Sequence, residues 1–422
     1  MNIAILSDNE DQGGAGIAAT RLALALSSSG HSVTRLVYHL SSHSYNKYET
    51  VALCCQSSVP LRITRKLLPS ALRAVVGFQV VRRLDACLER LQPDIINVHN
   101  LHGARWADAN VGLVGKCYTH APVVWTLHDM WSFTGRCVNS RGCERFVDGC
   151  DSRCPTPTEY PPLRPLKIQA AWEKRREYLG GSPFRDLTAV APSQWLAREA
   201  RRGLWRNHDV EVIPNGLDLN VYRPQEKRAS RARLGLPLES RILLTGGSAV
   251  PAYKGLAIVA EALSHLQKRG VVVVTLGGKG LTGCHAGVAL KHLGHIHDDA
   301  EKATAYSAAD VYVHPSYADN LPNMVMESIA CGTPVAAFRI NGVPELVRPG
   351  QTGVLADNVS PRELADKIDE LLDATRSSDL NRQCRAIAEA EYGDALMAKR
   401  YSTLFARIQW ARPREHKQAF AQ

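Results

Sequence analysis

Residues 317–335 read YADNLPNMVMESIACGTPV, with Asp319 and Glu327 eight positions apart and Pro322 between them. Just ahead, 310–314 (DVYVH) is a short β-branched and aromatic run, the pattern of a buried strand. Behind Pro322, the residues Met324, Val325, Ser328 and Ile329 recur at helical spacing, and proline suits a first helical turn because its missing N–H is no loss there. The stretch therefore predicts strand, turn and helix, with the amides of Asn323, Met324 and Val325 aimed back at the strand end. Such a helix start attracts anions, phosphate included. Two carboxylates beside it suit a nucleotide-sugar site, with amides for the diphosphate and acids for hydroxyls. An exposed Asp and a helix-surface Glu fit the same spacing, so the pattern needs support from the rest of the chain.

The second half supplies that support. Segments 241–245, 271–276 and 335–338 are short apolar runs separated by helical patterns, as in a doubly wound parallel α/β sheet. The first ends at Gly246-Gly247-Ser248, and Tyr253-Lys254-Gly255 then opens a helix. A lysine at a helix start is a point charge suited to phosphate, and it is also a common surface residue.

The first half has the same alternation. Segment 2–6 (NIAIL) predicts a buried strand, and the glycine-rich turn carrying Gly14 and Ala15 leads into a helix. It lacks the G-x-G-x-x-G spacing of dinucleotide-binding turns, so a tight turn and a ligand turn both fit. Segments 94–98 and 123–127 predict two further strands, ending in HNLHG with His99 and His102, and in His128-Asp129. Ligands of open parallel sheets bind beyond the carboxyl ends of the strands, which puts His99 and His128 near the expected site. His102 reads better as structural.

With 422 residues, the chain suits two domains of ordinary size. An apolar content of 45% and a charged content of 22% are those of a soluble globular protein. The start, MNIAILSDNEDQ, resembles no signal peptide, and no apolar run is long enough to span a membrane. A cytoplasmic protein is expected. Its net charge of +10 points to an anionic partner. Segment 59–91 interleaves leucines and valines with arginines, which suits either a packed helix with a solvated face or docking on an anionic membrane surface.

Eleven cysteines, an odd number, do not form a secreted disulfide pattern. Cys137, Cys143, Cys150 and Cys154 fall within eighteen residues of a glycine-rich stretch. Four thiols there suit a structural zinc better than disulfides in a reducing compartment, and free thiols also fit. Nothing in their placement calls for a catalytic metal.

The phrase from Asp319 to Pro334 resembles the acidic motif of the retaining GT-B glycosyltransferases of family 4, close to E-x-x-P-x-x-x-x-E-S-x-A-x-G-x-P-V. The resemblance extends over about residues 1–408, and the phrase VIPNGLD at 212–218 is similar to the family's interdomain connection. It implies two Rossmann-like domains facing each other across a crevice: residues 1–219 for the acceptor, 220–395 for the donor, and 396–422 as a helix crossing back with a tail. It implies that Glu327 holds the nucleotide ribose, that Asp319 holds sugar hydroxyls, and that His128 lies near the reacting carbon. Asp319 stands where the family has Glu, one methylene longer. Donor contacts are implied for Gly14, Ala15, Ser248, Lys254, Ile296, Leu321, Asn323, Met324 and Val325, and an acceptor contact for His99. Ser248 occupies a position where the family often has Arg, so one phosphate cation is absent.

The expected activity is transfer of a sugar, with retention, from a nucleoside-diphosphate sugar to a carbohydrate or lipid-linked oligosaccharide acceptor in capsular or exopolysaccharide assembly. The expected site is cytoplasmic, on the inner face of a membrane, with no cofactor required for catalysis. Two rival readings fit the sequence. One is a nucleotide-sugar epimerase of the same fold. The other is a zinc-dependent nucleic-acid-binding protein, against which the basic residues are scattered and lack aromatic interleaving.

Overall fold

The computed structural model describes residues 1–40, 47–53, 70–102, 110–180, 184, 186–246, 252–266, 270–278, 281, 288–374 and 379–411. Ser248 and the first part of the basic 59–91 segment lie outside them. The chain divides into two compact units, Met1–Ile213 with Met397–Gln422, and Pro214–Leu396.

The first unit is built on seven strands: β1 (Asn2–Asn9), β2 (Ser32–His39), β3 (Glu49–Ala52), β4 (Ile95–Val98), β5 (Val123–Thr126), β6 (Thr188–Ala191) and β7 (Asp209–Val212). Their order is β3-β2-β1-β4-β5-β6-β7, and every pairing is parallel. The direction of winding reverses between β1 and β4, the position where such sheets open a ligand crevice. Strands β4, β5 and β6 are buried along their whole length. They read as continuous apolar runs rather than alternating ones because helices cover both faces of the sheet. The last helix, Asp394–Ala411, buries Met397, Ala398, Tyr401, Leu404 and Phe405 against Ile3, Ile5, Leu22, Leu26 and Val124 of this unit.

The second unit has six strands: β8 (Arg241–Gly246), β9 (Val271–Leu276), β10 (Ala289–His292), β11 (Val311–His314), β12 (Val335–Phe338) and β13 (Gly353–Ala356). The order β10-β9-β8-β11-β12-β13 is again all parallel and reverses between β8 and β11. A doubly wound α/β architecture is therefore present in each unit.

Two strands, β3 and β10, carry no clear signal in the sequence. Their residues, ETVA and ALKH, are mostly exposed or half-buried at a sheet edge. With one neighbour missing and one face wet, they need no apolar run. Among the described residues no helix is long and apolar enough to cross a membrane.

Candidate active site

In the second unit the acidic segment leaves β11 and turns into the helix Asn323–Ala330, with Pro322 as its N-cap. The helix stops where Gly332 takes φ +76°, the left-handed conformation that closes helices. The Thr333 N–H then reaches the Ser328 carbonyl at 2.9 Å, and Ser328 Oγ donates to the Thr333 carbonyl at 2.8 Å. A short, buried helix with a defined start results.

Lys254 comes to this helix from the segment after β8. The Tyr317 N–H donates to the Tyr253 carbonyl at 2.9 Å, and Ser316 Oγ donates to the same oxygen at 3.2 Å. Gly255, at φ +74°, sits so close to Pro315 that a Cβ would fall 2.0 Å from its carbonyl oxygen. These contacts bring Lys254 Nζ to 2.7 Å from Asp319 Oδ2. His314, at the carboxyl end of β11, places Nε2 3.4 Å from the same oxygen. It is 5% exposed, and both ring nitrogens lack a hydrogen-bond partner among the described residues. Burial opposes ionisation of Asp319, but Lys254 and then His314 outweigh it and hold the carboxyl well below its usual range. The Asp319 N–H donates to Asn341 Oδ1 at 3.3 Å, from the loop after β12.

Glu327 is only 4% exposed and accepts from the Tyr306 hydroxyl at 3.0 Å. Burial first, and then the charge of Glu327, push the Tyr306 hydroxyl well above its ordinary value, so it stays a donor. The Val325 N–H does not point to the strand end as expected. It closes on the Pro322 carbonyl at 3.1 Å because the first turn is tight, while the Met324 N–H has no partner among the described residues. Asn323 Oδ1 accepts from Asn215 Nδ2 at 3.4 Å. Leu321 is buried in the core of this unit and the half-buried Ile296 packs against it. Their side chains offer packing and no polar contact. The sequence motifs do not single out His314, Tyr306 or Asn341 for the site. His314 carried a readable signal, since it ends a strand as His99 and His128 follow theirs. Tyr306 and Asn341 gave none, because their partners lie 21 and 22 residues away.

In the first unit Gly14 and Ala15 lie in the first turn of the helix Gly13–Ser28. The preceding turn is held by Arg35 of β2, fully buried, which donates to the carbonyls of Asn9 and Glu10 and to Ser7 Oγ. His99 and His128 meet: His99 Nδ1 is 2.8 Å from His128 Nε2, and His99 Nε2 is 2.7 Å from Asn97 Oδ1. His99 is 1% exposed and both its ring nitrogens are engaged by Asn97 and His128, which leaves neither for the acceptor contact expected of it. His102 Nε2 stands 2.6 Å from Asp129 Oδ2. Burial lowers its affinity for protons, and the Asp129 charge more than reverses this, raising its pKa.

Cys137, Cys143, Cys150 and Cys154 are free and half-buried. Among the described residues no group of three or more His, Cys, Asp or Glu side chains is gathered as a metal shell. Burial, reinforced by the other thiols of the loop, pushes Cys137 up to about 12.

Residues 12–221 match the family model described as Glycosyltransferase Family 4, and residues 239–374 match the one described as Glycosyl transferases group 1. The D-inositol 3-phosphate glycosyltransferase of Mycobacterium tuberculosis (strain ATCC 25618 / H37Rv) is 35% identical over 306 residues, 69% of this chain and 56% of that protein. The chain thus spans just over half the length of the curated relatives it matches. Sucrose-phosphate synthase from Thermosynechococcus elongatus superposes with a TM-score of 0.71 at 19% identity, covering 97% of this chain and 99% of that one. The structure of HepE from Anabaena in complex with UDP-glucose gives 0.65 at 16% identity, covering 96% and 99%. The structural likenesses concern the fold, and the two family models account for both α/β units. The chain belongs to the GT-B glycosyltransferases of family 4.

Proposed function

We propose that the protein transfers a sugar, with retention, from a nucleoside-diphosphate sugar to a carbohydrate acceptor, the second unit binding the donor and the first the acceptor. One observation carries this reading: Lys254, Asp319, Glu327 and the start of the helix Asn323–Ala330 converge beyond the carboxyl ends of β8 and β11. Lys254 and the helix start supply positive charge where a departing diphosphate would gather negative charge. Asp319 Oδ1 has no partner among the described residues, while Oδ2 is held by Lys254, which suits Oδ1 to a sugar hydroxyl. Glu327, kept in place by Tyr306, suits the ribose diol. His128 would stand near the anomeric carbon. A same-face attack, in which the acceptor hydroxyl gives its proton to the leaving phosphate, needs no protein nucleophile.

The HepE structure with UDP-glucose supports a nucleotide-sugar donor for this chain, and the D-inositol 3-phosphate glycosyltransferase supports sugar transfer. A lipid-linked acceptor in polysaccharide assembly and a seat on the inner membrane face belong to the same proposal. Zinc on the four cysteines is separate from it, and metal analysis of the purified protein tests it.

The decisive experiment is thermal-shift binding against a panel of nucleoside diphosphates and their sugars, followed by product analysis with the donor that binds. A ligand of the native state raises Tm. Stabilisation by one nucleotide series, lost in Glu327→Ala, supports the reading. A folded protein that responds to no nucleotide refutes it. Isomerised donor formed without any acceptor would identify an epimerase.

A further inference from the structure

The two histidines of the first unit are joined in a chain of hydrogen bonds whose direction can be deduced. It begins at Asn97 on β4, which is fully buried. Asn97 Nδ2 lies 2.9 Å from the Val124 carbonyl and 3.0 Å from Thr126 Oγ1. A backbone carbonyl can only accept, so the atom facing it is the amide nitrogen and Oδ1 faces His99. Oδ1 can only accept as well. The proton in the 2.7 Å contact therefore sits on His99 Nε2. His99 is buried beside the Arg35 charge and stays neutral, so its Nδ1 carries a lone pair. His128 Nε2, 2.8 Å away, must then be the donor. The ring centroids are 5.1 Å apart with 27° between the planes, so the two imidazoles meet edge to edge along the hydrogen bond.

We propose that Asn97 is a positioning residue that, acting through His99, fixes His128 as the tautomer with its proton on Nε2 and its lone pair on Nδ1. The chain of contacts reaches further back, since Thr126 Oγ1 is 3.0 Å from the hydroxyl of Tyr401 on the last helix. Groups that bear on the charge of His128 come from each neighbouring segment: Arg35 from β2, His102 and His99 from the loop after β4, and Asp129 next along the chain. Their sum with burial leaves the ring neutral, the condition under which a tautomer is defined.

The consequence rests on the reading of His128 as a contact of the donor sugar. With its lone pair on Nδ1, His128 can only accept at that atom, so it suits a sugar O–H and donates to no phosphate or ring oxygen there. A hydroxyl on the sugar is then selected by a residue 31 positions before it in the chain, buried and out of reach of any ligand.

The test is long-range ¹H–¹⁵N correlation of histidine-labelled protein at neutral pH, with His128 assigned by its loss in His128→Gln. Expected is the Nε2–H pattern for both His99 and His128 in the wild type. In Asn97→Leu the His128 pattern shifts towards a mixture of tautomers. In His99→Gln it is retained, because the amide donates to Asn97 Oδ1 and accepts from His128 as the imidazole does. An Nδ1–H pattern for wild-type His128, or no change in Asn97→Leu, overturns the proposal. If Asn97→Leu does not fold, the wild-type spectrum and His99→Gln decide it. None of these readouts needs a substrate, so they stand or fall apart from the transferase reading, which the nucleotide panel tests. Where transfer is measured, Asn97→Leu lowers kcat about tenfold or more with KM little changed, and His99→Gln keeps most of the wild-type kcat.

Discussion

Lys254 Nζ and Asp319 Oδ2 are 2.7 Å apart, an ion pair between the segment after β8 and the loop after β11. The pair lies at the place proposed for a sugar diphosphate. Breaking it leaves a buried carboxylate whose remaining ion-pair partner among the described residues is His314. Because the lysine side chain is 33% exposed, the cost is discounted for solvent screening to about 2 kcal/mol in Lys254→Met. Urea unfolding of Lys254→Met, Asp319→Asn and the double variant measures this. The double variant is expected to be more stable than Lys254→Met alone, and none of the three should gain Tm from nucleotide sugar.

Glu327 and Tyr306 form the second buried pair of the site. Tyr306→Phe removes one donor to a buried carboxylate and should lower stability by about 2 kcal/mol. Its nucleotide affinity should fall less than that of Glu327→Ala, which removes the proposed ribose acceptor. Denaturation midpoints and isothermal titration of the two variants separate the effects.

Gly255→Ala should be among the most damaging single-methyl changes in the chain. The added Cβ meets the Pro315 carbonyl oxygen at 2.0 Å, and the backbone there is left-handed. A loss of about 3 kcal/mol is expected, together with displacement of Lys254. Gly278→Ala, with nothing within 4 Å of its Cβ, is the control and should change stability little.

Acid stability should reflect the hydrogen-bonded pair His99 and His128. Burial is the largest cause that lowers both, with Arg35 assisting; His128 falls to about 4 and His99 well below its ordinary value. Below about pH 6.5 the unfolded chain takes up protons that the folded chain refuses. The contribution of these residues is therefore complete above that pH and is lost as the pH falls towards 4. His102 runs the other way: its pKa is raised by Asp129, so its contribution is complete below about 6.5 and fades as the pH rises through its folded value. Melting curves from pH 4 to 8 should show a shallower acid decline for His99→Gln/His128→Gln than for the wild type.

Cys137 and Cys150 should alkylate slowly at pH 8. Burial is the main cause that holds their thiols at about 12 and about 11, so little thiolate is present. Mass spectrometry after timed iodoacetamide treatment reads this directly. Rapid modification of both in the folded protein would contradict the burial described here.

Much of this was legible in the residues themselves. Short β-branched runs such as VYVH and VVVVTL name their strands because a strand buried on both faces must be apolar throughout. Pro322 and Gly332 bracket a helix through local backbone geometry alone. The 319–334 phrase was enough to suggest the family. What tertiary structure decided is which distant residues meet. The edge strands ETVA and ALKH depend on a neighbour for their hydrogen bonds and have no apolar pattern of their own. The tight first turn that takes the Val325 N–H out of the site depends on the Pro322 carbonyl's orientation, which spacing does not reveal. Tyr306 beneath Glu327, Asn341 on the Asp319 amide and Asn97 behind His99 are each set by strand and loop packing. Local propensity and periodicity act over a few residues and can be read along the chain. Hydrogen-bond partners and proton positions depend on three-dimensional distance and burial, which only the folded chain determines.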